Sequence, residues 1–170
     1  MPQKARSLPP GPPPRIPPVL DEVDRALVDA LLVDGRATNV ALAQAAGIAE
    51  STCVGRVWAL QQRGVITGFR AEVDLGRVGL PIQSFVALRL AGHDRDAVDA
   101  FGEHVSGLPG VLAAYNVTGA DDFLVHVAAA SPEALREFVL DHLSGYPGVA
   151  GVHTSLVFRT HAGRAPLPNA

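Results

Sequence analysis

Hydroxyl and guanidinium side chains recur at helical spacing in one stretch of this 170-residue chain. The residues at positions i, i+3, i+4, i+7 and i+11 share one face of an α-helix, and here they are Thr52, Gly55, Arg56, Ala59 and Arg63. We expect this face to be exposed, because Cys53 and Leu60 fall on the opposite, apolar face. An arginine there can donate two hydrogen bonds to a guanine edge or one to a phosphate. The chemistry indicated is nucleic-acid recognition.

Each of these residues also has a plainer interpretation. Arg56, expected at the middle of the face, could instead be a solvated surface arginine. Ser51 and Thr52 could donate hydrogen bonds to phosphates from the positive end of the helix dipole, but helix capping is an equally good role for Ser51. Arg63 could contact the flanking phosphates, as could Arg36, or it could offset the negative end of the dipole. The predicted DNA contacts are Arg36, Ser51, Thr52, Arg56 and Arg63.

Residue patterns typical of catalysis or metal binding are not found in this sequence. It has no phosphate-binding glycine loop, no dinucleotide-binding glycine pattern, no serine nucleophile turn and no group of carboxylates for acid–base chemistry. Cys53 is the only cysteine, so no internal disulfide can form, and we expect an inert core thiol. His126, His142 and His153 lack metal-ligand spacing. We therefore expect no enzyme activity, no metal and no cofactor.

The composition is that of a globular protein with a mainly aliphatic core. Apolar residues make up 48% of the chain, charged residues 18% and aromatic residues 5%. The net charge of -3 argues against a polycation that holds nucleic acid by bulk attraction. No apolar run approaches the roughly 18 residues of a membrane-spanning helix, and the N-terminus has no apolar signal segment. We expect a soluble cytoplasmic protein without a membrane partner.

Three helices are predicted in the first module. The first helix begins near Leu20 and stops before the turn at residues 34–38. The second is capped by Thr38 or Asn39 and ends at Gly47, and the third runs from Glu50 or Ser51 to Arg63. Two short helices joined by a tight glycine-containing turn are the helix-turn-helix pattern, although any three-helix bundle would share this spacing. The following GVITGFRAEVD predicts a turn and strand, and so favours a winged form.

The second module alternates strand-like and helix-like segments in the order β-α-β-β-α-β. This order predicts a ferredoxin-like α+β domain, with a four-stranded antiparallel sheet and both helices on one face. The other sheet face is then bare and apolar, so we expect self-association to cover it. The residues predicted on that bare face are Phe85, Ala87, Leu112, Ala114, Leu124 and Ala128.

The turn between the two middle strands could contact a small molecule. Gly119 permits a positive φ and a close backbone approach, and Asp122 could pair with the ammonium group of an amino acid. A Gly-Ala-Asp-Asp turn also requires these residue types for its geometry alone, and the sequence does not choose between the two roles.

Three segments resemble the Lrp/AsnC, or feast/famine, family of bacterial and archaeal transcriptional regulators. They are LDEVDRALVDALLVDGRATNVALAQAAGI, STCVGRVWALQQRGVITGFRAEVD and VTGADDFLVHV, which are similar to the family's opening helix, its recognition helix with wing, and its effector-domain hairpin. The resemblance covers about residues 20 to 160. It implies double-stranded DNA as a partner, a homodimer or higher homo-oligomer joined through the bare sheet face, and an amino acid or related effector. The effector contacts it implies are Thr118, Gly119, Asp121 and Asp122.

The chain departs from the family pattern at several functional positions. Ala49 stands where the family has a capping Ser or Thr, and Gly55 and Trp58 stand where it commonly has basic residues. We expect Trp58 to pack between the helices and the wing. In the hairpin, Ala120 and Asp121 replace an acidic or polar residue and an aromatic one.

The resulting interpretation is a sequence-specific DNA-binding regulator in five segments. Residues 1–19 form a Pro-rich disordered tail, residues 20–68 the winged helix-turn-helix, and residues 69–82 a linker strand. Residues 83–160 form the ferredoxin-like ligand-binding and oligomerisation domain, and residues 161–170 a tail. The alternatives are a small-molecule sensor with weak or no DNA binding, which the sparse basic charge favours, and an enzyme on the ferredoxin-like fold, which the lack of a nucleophile and base disfavours.

Overall fold

The computed structural model describes residues 19–92 and 94–161, which divide into two units between Ala71 and Glu72. We call the first the helical domain and the second the sheet domain. The predicted tails fall almost wholly on residues 1–18 and 162–170, outside the described residues. The first residues of the expected linker, up to Ala71, group with the helical domain, and the rest groups with the sheet domain.

Local capping sets the helix ends of the helical domain. Asp21 caps the first helix by accepting a hydrogen bond from the Asp24 amide at 2.8 Å, and Thr38 caps the second by accepting from the Ala41 amide at 3.2 Å. Gly47 ends the second helix at φ 65°, a left-handed conformation that glycine adopts without steric cost. The three predicted helices are confirmed as α1 (Glu22–Val33), α2 (Asn39–Ala46) and α3 (Glu50–Gln62).

A small apolar cluster holds the three helices together. Leu27, Cys53 and Leu60 are completely buried, and Leu42 and Ala43 nearly so. Burying a leucine side chain contributes about 1.5–3 kcal/mol, so these few residues are the main stabilising contacts of the domain. Cys53 is a core residue, and burial raises the pKa of its thiol.

The predicted wing strand and linker strand are not formed in the described chain. Residues 67–74 contain neither helix nor strand, and Leu75–Val78 form a single 3₁₀ turn before the first strand begins at Ile82. A β-strand requires a neighbour for its backbone hydrogen bonds. None of the described residues of this chain pairs with the segment as a strand, so local β-propensity alone was a misleading signal there.

The sheet domain has the predicted β-α-β-β-α-β order. Its four strands lie in the order β2-β3-β1-β4 and every neighbouring pair is antiparallel. Pro132 occupies the first turn of the second helix, which Ser131 caps, and this helix continues into a π-helical turn at Val139–Ser144. The elements are β1 (Ile82–Leu90), α4 (Arg95–Ser106), β2 (Val111–Asn116), β3 (Phe123–Ala129), α5 (Pro132–Phe138) and β4 (Val149–Leu156).

One face of the sheet packs against the helices and forms the core of this domain. Phe101 of α4 is completely buried, with its ring centroid 4.8 Å from that of Phe123 and 5.0 Å from that of Tyr146. Edge-to-face contacts of this kind add to the burial of apolar area. The strand residues buried with them include Val86, Leu88, Val125 and Val127.

The opposite face, which we call the open face, has the predicted period-two pattern with one correction. Phe85 and Ala87 of β1 lie opposite His126 and Leu124 of β3. These residues alternate along the strands with the buried core residues, so they lie on the other face of the sheet. Ala114 was predicted on this face, but it packs against the core instead. The register of β2 shifts between Val111 and Ala113, and an extra residue in a strand moves every later side chain to the other face.

Candidate nucleic-acid interface and effector hairpin

Arg56 of α3 and Arg63, which directly follows this helix, form ion pairs with acidic residues at the start of α1. Arg63 Nη1 donates to Asp24 Oδ2 at 2.9 Å, and Arg56 Nη1 donates to Asp24 Oδ1 at 3.0 Å. Asp24 is only 3% exposed, so its carboxylate is a buried charge whose two oxygens are each paired with a guanidinium. Burying a carboxylate is expensive unless it is paired and hydrogen-bonded, as here.

Asp21 extends this network at the start of α1. Its Oδ1 caps the helix by accepting from the Asp24 amide, and its Oδ2 accepts from Arg56 Nη1. The capping hydrogen bond, followed by the Arg56 guanidinium, lowers the pKa of the Asp21 carboxyl, and the Asp21 carboxylate in turn raises the pKa of Arg56. Arg63 Nη2 also donates to the backbone oxygen of Val19 at 2.7 Å. We call Asp21, Asp24, Arg56 and Arg63 the charge network.

The charge network changes the geometry expected for α3. Arg56 was predicted at the middle of an exposed face, with a solvated arginine as the alternative, and its side chain is 38% exposed but engaged in ion pairs. The guanidinium groups of Arg56 and Arg63 are directed back to α1, and their charges are balanced by two carboxylates. A direct DNA contact by either residue stays a prediction, which this pairing makes less favourable.

Beyond the exposed Glu50 at its N-terminus, the outward surface of α3 is neutral. Its exposed residues mostly follow a stripe offset by one position, or about 100°, from the predicted face, with which the stripe shares Gly55. We call Ser51, Gly55, Trp58 and Gln62 the outer stripe, and Val54 and Gln61 flank it. Trp58 is 62% exposed, which corrects the expectation that it packs between the helices and a wing. The signal that could have fixed the rotation was the pair of acids in α1, Asp21 and Asp24, three residues apart.

The other predicted DNA contacts lie at the surface of the helical domain. Ser51 and Thr52 are exposed in the first turn of α3, whose N-cap residue Ala49 makes no side-chain hydrogen bond. Ser51 does not replace that cap, because the helix begins at Glu50. Arg36 is exposed in the turn between α1 and α2, and its amide donates to Asp34 Oδ1 at 2.8 Å. The contacts of these three residues with DNA remain predictions.

The hairpin between β2 and β3 is tied to β1 through Asp122. The Asp122 side chain accepts a hydrogen bond from the Leu90 amide at 2.8 Å, and the Asp122 amide donates to the Leu88 oxygen at 2.8 Å. Its backbone oxygen accepts from the Asn116 side chain at 2.9 Å. Asp122 therefore has a structural role in this chain, whichever ligand the hairpin binds.

The remaining hairpin residues occupy the tip. Gly119 has φ 126°, which L side chains rarely adopt, and it is exposed together with Thr118. Asp121 is half-buried beside Asp122. The predicted effector residues are thus brought together in one turn, and their contact with a ligand stays a prediction.

A cavity that the sequence did not indicate lies at the same end of β1 as the hairpin. Its volume is about 290 Å³, and its wall includes Leu90, whose amide is bonded to Asp122. The lining is mainly apolar, with Asp94 as its acidic residue. The residues that line it are Leu90, Gly92, Asp94, Ala97, Phe101, Tyr146, Pro147 and Gly148.

His126 is part of the open face. Its ring stacks on that of Phe85, with centroids 4.6 Å apart and planes inclined by 18°, and its Nε2 lies 3.1 Å from Gln83 Oε1. Burial lowers the pKa of His126. The described residues contain no group of three or more His, Cys, Asp or Glu side chains that could hold a metal ion. None of the helices in the described part of the chain is long and apolar enough to cross a membrane.

Family models match both domains. Residues 20–61 match the AsnC-type helix-turn-helix domain, and residues 83–167 match the Lrp/AsnC ligand binding domain. Among curated relatives, the HTH-type transcriptional regulator AldR of Mycolicibacterium smegmatis is 43% identical over 148 residues, which are 87% of this chain and 86% of AldR. The leucine-responsive regulatory protein of Rhizobium meliloti is 35% identical over 141 residues, covering 82% of this chain and 90% of the relative.

Solved structures agree with these matches. The crystal structure of MtbAldR is similar with a TM-score of 0.71 and 38% identity, covering 88% of this chain and 100% of that one. A Neisseria meningitidis transcriptional regulator, crystallised in complex with L-Met, is similar with a TM-score of 0.79 and 29% identity, covering 88% of this chain and 97% of that one.

Proposed function

The chain belongs to the Lrp/AsnC family of transcriptional regulators, and we propose that it binds double-stranded DNA through the outer stripe of α3. The observation that supports this site most strongly is the exposure of the stripe on the second helix of the helix-turn-helix, while the charge network occupies the face toward α1. A recognition helix enters the major groove with an exposed face. In this proposal the arginines fix the orientation of α3 and the stripe contacts the bases.

A homodimer is the assembly that the open face favours. Leu112 and Tyr115 of β2 are 41% and 51% exposed, and Phe85 and Leu124 are half-buried on the same sheet without helices over them. Contiguous apolar area of this kind is rarely left exposed in a monomer. Pairing of two such faces would present two copies of α3, so half-sites about 34–36 Å apart, one turn of DNA, are expected.

An amino acid is the effector class that we propose for the sheet domain. The Neisseria relative was crystallised with L-Met, and a relative from Rhizobium is named for its response to leucine. The exposed Thr118 and Gly119 of the hairpin tip and the half-buried Asp121 offer backbone groups and a carboxylate that suit the carboxylate and ammonium groups of an amino acid. The adjacent apolar cavity of about 290 Å³ would suit a small apolar side chain. A ligand there would regulate only by preferring one assembly over another.

A sensor with weak DNA binding is the second candidate. One observation favours it: the charges of Arg56 and Arg63 are balanced within the helical domain, which reduces the positive charge available for phosphates. An operator would then be bound with little contribution from bulk electrostatic attraction.

A DNA-binding protein would act in the cytoplasm, and we propose that location for the chain.

Gly55 offers a clean test of the DNA-binding surface. A Cβ built at Gly55 has nothing within 4 Å, so Gly55→Glu places a negative charge on the stripe without disturbing the core, and Gly55→Ala is a matched neutral control. Fluorescence anisotropy would follow labelled fragments from upstream of the protein's own gene at two salt concentrations, with and without a panel of amino acids. We expect selective binding by the wild type and Gly55→Ala, and loss of binding in Gly55→Glu. If no fragment binds selectively, with or without an amino acid, the sensor function is favoured instead.

A further inference from the structure

Two apolar side chains stand at the surface of α3 where a DNA-reading helix usually displays polar groups. Val54 is 49% exposed and Trp58 62% exposed, and neither belongs to the apolar cluster that holds the helical domain together. They are four residues apart, so they are neighbours on one side of the helix. Gly55, between them in sequence, contributes no side chain and leaves the helix backbone open at that point.

The ion pairs of Arg56 and Arg63 disfavour the commonest mode of guanine recognition by α3. Arginine reads guanine by two hydrogen bonds to its O6 and N7 atoms. Arg56 and Arg63 donate to the carboxylates of Asp21 and Asp24. Apart from the exposed Glu50 carboxylate at the helix N-terminus, the other exposed polar side chains of α3 carry hydroxyl and amide groups. An α3 docked by its outer stripe would therefore present Val54 and Trp58 to the floor of the groove without a competing cation.

Thymine is the base whose major-groove edge matches an apolar side chain. Its C5-methyl group is the apolar feature that distinguishes thymine from the other bases in that groove, and adenine offers its N6 and N7 atoms to a glutamine amide. Gln61 and Gln62 are exposed one turn beyond the pair. The surface of α3 is thus complementary to A·T base pairs, since its apolar side chains match the thymine methyl group and its glutamine amides match adenine.

We propose that Val54 and Trp58 recognise thymine methyl groups in each half-site and so determine the operator specificity of this chain. The inference rests on the proposed DNA binding through α3 and adds the chemistry by which sequence is read. The free energy of burying one methyl group corresponds to about a fourfold change in affinity, so two such contacts account for a selective preference.

Deoxyuridine substitution tests the proposal because it removes the thymine methyl and leaves base pairing unchanged. In the shortest fragment that binds selectively, each thymine is replaced in turn by deoxyuridine, and the dissociation constant is measured by fluorescence anisotropy. We expect at least one thymine per half-site at which wild-type affinity falls about fourfold. The same substitution should have no effect on the double variant Val54→Ala/Trp58→Ala. Leu32→Ala, at an α1 residue that is 63% exposed, should keep the wild-type response.

Two outcomes would overturn the proposal and are distinguishable from a failure of the proposed function. If the wild type binds selectively and no deoxyuridine substitution changes its dissociation constant, it binds DNA without contacting thymine methyl groups. Double-variant protein that keeps the full deoxyuridine response would assign the methyl contact to other residues. Absence of selective binding on every fragment would refute the DNA-binding function itself. Circular dichroism melting of the double variant checks its fold, which the exposure of both side chains should leave intact.

Discussion

Arg63, in the turn that closes α3, is joined to the buried carboxylate of Asp24 on α1 at 2.9 Å. The residues are 39 positions apart in sequence, so the contact fixes the rotation of α3 against α1. Since Arg56 shares the same carboxylate, this buried acid acts together with the buried Cys53 and Leu60 to set which side of α3 faces solvent.

Replacement of that acid should destabilise the helical domain. Asp24→Asn removes the negative charge and leaves two guanidinium groups without their shared partner, and we expect a loss of about 1–3 kcal/mol in the free energy of unfolding. Urea denaturation followed by circular dichroism measures it. Glu22→Gln, two residues away on an exposed part of α1, is the control and should change stability by less than about 0.5 kcal/mol. Equal effects of the two variants would contradict a special role for Asp24.

An added arginine on the outer stripe should strengthen DNA binding in a salt-dependent way. Gly55 lies in the middle of α3 with open space around its Cβ position, so Gly55→Arg should fold and reach the phosphates. Each new phosphate contact is expected to steepen the slope of log affinity against log salt by about 0.9. Titrations at several salt concentrations give this slope, with Gly55→Ala as the neutral reference. An unchanged slope would place the stripe away from the DNA backbone.

Two adjacent aspartates of the hairpin should have different roles, with Asp122 needed for stability and Asp121 for the response to an effector. Asp122→Ala removes the acceptor of the Leu90 amide and should destabilise the sheet domain by about 1–3 kcal/mol. Asp121→Asn should leave the melting temperature unchanged and weaken any effect of an amino acid on DNA binding. Thermal melting and the anisotropy assay distinguish the two variants. Retention of the full effector response in Asp121→Asn would remove this residue from the proposed ligand site.

Acidification should destabilise the sheet domain through His126. Burial lowers the pKa of His126 below its ordinary value of 6.5, so the unfolded chain binds the proton more readily than the folded one. The contribution of the neutral ring is fully present above pH 6.5, and it declines as the pH falls from 6.5 toward the lower folded pKa. Urea unfolding at pH 7.5 and at pH 5 measures this loss.

Glutamine variants isolate the contribution of His126 from those of other titrating groups. His126→Gln keeps a polar side chain beside Gln83 and should reduce the difference in stability between the two pH values. His153→Gln, at an exposed position of β4, is the matched control and should keep the wild-type difference. The assignment to His126 is wrong if both variants behave like the wild type.

The features that the sequence predicted are those with local causes. Asp21, Thr38 and Gly47 stop or start helices through contacts within three or four residues, and the helix limits followed from them. The exposed face of α3 could not be read in the same way, because its rotation depends on Asp24 in a different helix. Ala114 was placed on the wrong sheet face because the register shift after Val111 is set by pairing with β3. Strand formation between residues 67 and 74 would require a neighbouring strand, and the local sequence pattern does not show whether one is present.

The charge network also has a consequence for how such a regulator could change its target. Asp21, Asp24, Arg56 and Arg63 hold α3 in place without occupying the outer stripe, so the residues that support the helix and those proposed to contact the operator are separate sets. Ser51, Gly55, Trp58 and Gln62 can therefore be exchanged without loss of the fold. A library randomised at those four positions would be a source of regulators with new operators on one unchanged scaffold.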